Sequence, residues 1–110
     1  MRILFCNIAW MKYYQGAFDG DIPQHGGSYV EKNHEAGEDM NFSRILNESD
    51  NVEYCYGNYA TKSTNGKDPN EMHIEKIEGC NAVKNEEYVD DVLIVWCARS
   101  YTNESVVVGW

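Results

Sequence analysis

Apolar positions concentrate at the two ends of the chain. Residues 92–98 form an uninterrupted apolar run, introduced by Asp90 and Asp91 and followed by the polar stretch 99–105. A run this short and rich in β-branched residues predicts a strand buried on both faces. Residues 106–110 predict a second strand, paired with the first as a hairpin across a loop that holds Tyr101, Thr102 and Asn103. The sequence stops inside that second run, so we expect either a domain truncated at its C-terminus, with its next strands missing, or an unusually blunt C-terminus. At the other end residues 3–8 predict a strand, and 92–98 and 3–8 are the expected central strands of the fold.

Between these ends the pattern is weaker. Trp10, Met11, Tyr13 and Tyr14 fit one short helical turn closed by Gly16, and residues 17–27 form a loop punctuated by Pro23, Gly26 and Gly27. Residues 28–31 fit either a brief strand or the start of a helix. Residues 40–42 and 52–61 have strand character on either side of a polar turn at 47–51, and Gly57 marks a bulge or a close approach. Asn65-Gly66 and Asp68-Pro69 signal turns. Residues 72–77 alternate as a half-exposed strand does, and 78–88 read as loop or weak helix. Roughly five or six short strands separated by turn clusters predict a mainly β domain with short helices, α+β in class, built as a small curved sheet or β-barrel.

Length adds one constraint: 110 residues make a single domain, spanning 1–110. Charge adds another. The net charge of −9 reflects 18 acidic against 9 basic side chains, with acids dense between Glu31 and Glu53. Such a surface repels phosphate at long range, so nucleic acid would have to be held by a local pocket rather than a broad basic face. The plain reading of these acids is a solvated face. Cys6, Cys55, Cys80 and Cys97 are widely spaced, without the paired cysteines of a zinc site, and two of them sit in apolar runs where a thiol acts as a small hydrophobe. We therefore expect inert, mostly buried thiols, no metal or other cofactor, and a reducing cytoplasm. No apolar stretch is long enough for a signal peptide or a membrane span.

No catalytic constellation stands out. His34-Glu35 lacks the second histidine of a zinc-protease helix, and the deaminase spacing is absent. A thiol hydrolase, pairing one of the cysteines with His25, His34 or His73, is an alternative without local support. The aromatic set is more informative. Trp10, Tyr13, Tyr14 and Tyr29 flank a loop whose Gly26 and Gly27 let backbone approach a ligand, and Asn7 and Asn41 have both donor and acceptor groups for the edge of a planar molecule. Those eight residues are the candidate base-binding set. Rings that simply fill a small core are the bland alternative.

Taken together, Asn7 to Met11 with Tyr14 and Gly16, then Gly26 to Val30, Asn41-Phe42, Tyr56-Gly57, the apolar run 92–96 and the final Val107-Val108-Gly109-Trp110 resemble the N-terminal domain of bacterial HNH-type, restriction-like endonucleases. The closing hairpin is also similar to that of the PUA and EVE superfamily. The resemblance implies a small β-barrel with short helices that recognises RNA or modified DNA bases, with modified DNA expected here ahead of RNA. It also implies that cleavage belongs to a downstream module, because no HNH motif is present. The expected role is thus a non-catalytic reader; an acidic protein-interaction domain is the other non-enzymatic possibility.

Overall fold

The computed structural model describes residues 1–61, 71–80 and 86–110. They form a mainly β structure with one short α-helix and two separate sheets. The larger sheet has three strands, β1 (Arg2–Ile8), β4 (Val92–Arg99) and β5 (Ser105–Gly109), in the order β1-β4-β5. The smaller is a hairpin of β2 (Arg44–Asn47) and β3 (Val52–Cys55). Among the described residues no barrel closes; the mainly β class with a short helix is as expected.

β1 and β4 run parallel, in a register that sets Arg2 opposite Val92 and Ile8 opposite Ala98. Parallel neighbours need a crossover, and here the helix, the hairpin and everything else between them supply it. β5 folds back antiparallel on β4, as the C-terminal apolar pattern predicts, with a register irregularity between Trp96 and Cys97. β4 is the central strand; β1 lies at an edge, where the sequence led us to expect a second central strand.

Period-two alternation explains which side of the sheet faces inward. Leu4, Cys6 and Ile8 of β1 and Trp96 and Ala98 of β4 point into one core, where they meet Met11, Tyr14, Phe42 and Val108. The opposite face shows Ile3, Phe5, Leu93 and Val107, all exposed. The expectation that residues 92–98 are buried on both faces is therefore corrected. A continuous apolar run says that both faces of a strand are apolar, while cover on the second face needs a layer that the described residues do not supply. Two glycines serve the inward face: a Cβ on Gly57 would collide with the Trp96 indole, and one on Gly109 with the Phe42 ring. The close approach signalled at Gly57 is thus a packing contact.

Four other local expectations change. Residues 10–16 form no helical turn, because Asp21, itself buried, accepts the N–H groups of Lys12 (2.7 Å) and Tyr13 (2.8 Å) while Tyr14 adopts a left-handed φ of 53°. Residues 40–42 are turn, and the strand begins later, at Arg44. Residues 74–76 form a 3-10 helix instead of a strand. A strand needs a neighbour for its N–H groups. With none beside it among the described residues, the segment bonds to itself, Lys76 N–H to His73 O at 3.0 Å and Ile77 N–H to Ile74 O at 3.2 Å. The strand expected over 52–61 ends at Cys55. The turn signals at 65–69 and part of the 78–88 segment lie outside the described residues.

Among the described residues no helix is long and apolar enough to cross a membrane. All four cysteines are free; Cys6 is buried and Cys55 exposed, with Cys80 and Cys97 between. The exposure of Cys55 corrects the expectation of mostly buried thiols: β3 packs no face onto the main core, and all four of its residues are exposed. Burial pushes the Cys6 thiol above its ordinary pKa, with nearby Cys97 adding to the shift.

Candidate functional site

A cleft of about 550 Å³ opens where β1 ends, between the start of helix α1 (Ser28–Asn33) and residues 37–38 and 59–61. Its size lies within the range of small-molecule sites. Its floor is built by close packing. Ala9 is fully buried against Val30 and Ala36, and Gly26 comes so near to Val30 and Ala9 that a Cβ there would collide with both. Gly27 precedes the helix at φ 91°, a left-handed backbone that favours glycine, and His34 closes the helix at φ 57° with its N–H on Val30 O. The two glycines expected to bring backbone close to a ligand therefore do form one wall.

The polar equipment of the cleft is specific. Glu38 Oε1 accepts the Ala9 N–H at 2.9 Å, which fixes the carboxylate; its second oxygen has no hydrogen-bond partner among the described residues. Asn7 lies on the rim at the end of β1. Tyr29, 64% exposed, and Tyr59, 39% exposed, contribute two rings, and His25 a third polar ring. No lysine or arginine lines this cleft among the described residues. Nor do three His, Cys, Asp or Glu side chains gather anywhere among them as a metal site would require.

Of the eight residues singled out from the sequence, Asn7, Gly26, Gly27 and Tyr29 meet in this cleft. The other four do not. Tyr14 is only 2% exposed; its hydroxyl donates to Ala9 O at 2.6 Å, its ring meets Phe42 edge-on, and it belongs to the core rather than to a stacking surface. Burial pushes its phenol up to about 12, opposed by the Met11 backbone and aided to a smaller extent by the charges of Glu38 and Asp21. Asn41, also 2% exposed, spends its side chain on residue 58, accepting the Asn58 N–H at 2.8 Å and donating to Asn58 O at 3.1 Å. It has no edge left to offer a ligand, and its effect is to hold the segment that carries Tyr59. Trp10 pairs its backbone with Gln24, packs against the main core and sets its ring edge-on to Tyr101 at 6.2 Å. Tyr13 is exposed and lines none of this cleft.

Glu38 and Tyr59 are the residues that sequence reasoning missed. Glu38 stood in an acidic stretch that reads as solvated surface, and Tyr59 in what read as a strand. Only the fold carries them to Ala9 and Gly26. The chain matches no protein-family model, no curated protein and no solved structure.

Proposed function

We propose that this domain is a non-catalytic reader of nucleic acid that holds one unstacked base in the cleft beside β1, and that it is a PUA- or EVE-like module serving a downstream nuclease. A modified DNA base is its preferred target ahead of RNA, and its setting is the cytoplasm. One observation carries the reading. Two partly exposed tyrosines share a cleft with a carboxylate pinned by the Ala9 N–H, and no cation lines it among the described residues. A carboxylate accepts hydrogen bonds from amino and imino groups and repels phosphate, which favours the amino-bearing edge of a base as the group that enters. Aromatic faces supply stacking that every base can use. Free thiols are in keeping with a reducing compartment.

The test is Tyr29→Ala, assayed against single-stranded oligonucleotides with modified and unmodified bases. Loss of one stacking ring should cost about 1–3 kcal/mol of binding. Because Tyr29 is mostly exposed, the thermal midpoint should stay where it is. Unchanged binding across the whole panel would remove the cleft from consideration. Salt-sensitive binding to a basic protein, with none to any oligonucleotide, would point to the acidic interaction domain instead.

A further inference from the structure

The cleft continues past β1. Asn7, Ile8, His25 and Gly27 line it on one side and on the other line a second hollow of about 720 Å³, which reaches Ser28, Arg99 and Ser105. The chemistry changes across that shared wall. The first chamber carries the Glu38 carboxylate and no arginine; the second is lined by Arg99, Ser28, Ser105 and one carboxylate, Glu31.

Arg99 differs from the other two arginines of the chain. Arg2 donates to Gly79 O and Asp90 O, each at 3.0 Å, and Arg44 bridges Glu53 at 3.6 Å. Arg99, at the end of β4 opposite Ser105, has neither a hydrogen bond nor an ion pair from its side chain among the described residues. Glu31 is the acid in the same hollow, and its Oε1 is turned to the His25 N–H at 3.3 Å. In a protein of net charge −9, a guanidinium with no partner among the described residues, beside a hollow, is a local exception to a field that repels anions.

We infer that Arg99 is a phosphate anchor, so that the ligand is a nucleotide unit of a single strand, with its base in the cleft and its phosphate in the adjoining hollow. The inference rests on the reading of the cleft as a base site. Of the two adjoining chambers only the second holds an arginine, which suits a ligand with a base at one end and a phosphate at the other. A guanidinium presents paired N–H donors that match two phosphate oxygens, and such charge-assisted bonds are stronger than neutral ones. Ser28 and Ser105 add hydroxyls for the sugar or the remaining phosphate oxygen.

Calorimetric titration of the protein with deoxynucleosides, 5-methyldeoxycytidine included, and with their 5′-monophosphates tests this. For the base that binds, the monophosphate should bind about tenfold more tightly than the matching nucleoside. Arg99→Gln should bring monophosphate affinity down to the nucleoside level, and Arg99→Lys should keep part of the difference. Arg99 is exposed, and a thermal melt checks that each variant folds. Equal affinity of nucleoside and monophosphate for the unaltered protein, or a phosphate preference that survives Arg99→Gln, overturns the anchor and leaves the base cleft standing. Absence of binding by every nucleoside and monophosphate overturns the base cleft and the anchor with it.

Discussion

Tyr14 and Tyr29 show how position within the fold separates two chemically identical side chains. Tyr29 stands on the first turn of α1 with most of its ring in solvent, whereas Tyr14 is sealed in the core with its hydroxyl bound to a fully buried carbonyl. Tyr14→Phe keeps the ring and removes the donor, leaving Ala9 O unsatisfied, and should cost about 1–3 kcal/mol at neutral pH. It should also change the response to alkali. The folded protein holds this phenol neutral, at about 12 against an ordinary 10, so its contribution is whole below pH 10 and is lost as pH rises through 12. Urea denaturation at stepped pH should show a steeper alkaline loss of stability for the unaltered protein than for Tyr14→Phe. Parallel losses would mean that Tyr14 is not held as described.

At the scale of the element, β5 permits a paired comparison of its two faces. Val107 shares the outer face with Cys97 and Phe5 and is 56% exposed, while Val108 packs against the main core. Alternation therefore makes the two neighbouring valines unequal. Val107→Asp should change stability by no more than about 0.5 kcal/mol, as surface substitutions do. Val108→Asp, which sets a carboxylate against the main core, should cost at least about 2 kcal/mol. Chemical denaturation of both variants measures the difference, and equal costs would put β5 in another register.

For the whole molecule the governing quantity is charge. Under the proposed reading, a protein of −9 binds nucleic acid through few phosphate contacts, because each further phosphate is drawn into a repelling field. Conventional nucleic-acid binders cover many phosphates and lose affinity steeply with salt. With Arg99 as the single anchor, the logarithm of affinity for a single strand should fall against the logarithm of salt concentration with a slope of about −0.7. Titrations over a range of salt concentrations would show it. A slope several times steeper would require a basic surface that the described residues lack, and would move recognition away from the cleft.

What the amino-acid pattern determined by itself was local. The apolar runs at the two ends are strands, the later pair is a hairpin, residues 47–51 turn, and Gly57 permits a close approach, because period, β-branching and turn chemistry act over a few residues. The tertiary structure decided everything that depends on a distant neighbour. It set β1 parallel to β4, left one apolar face of the sheet uncovered, and turned the alternating segment at 74–76 into a 3-10 helix for want of a partner strand among the described residues. The same holds for the site. Asn7, Gly26, Gly27 and Tyr29 were legible as a flexible, ring-bearing loop near a strand end, while Tyr14, Asn41 and Trp10 carry the same polar and aromatic signatures and are spent on the interior. Composition distinguishes side chains that can bind a base from those that cannot. Which of them remain free to do so depends on hydrogen-bond partners and packing neighbours far away in the chain, as with Asn58 for Asn41 and Ala9 for Glu38.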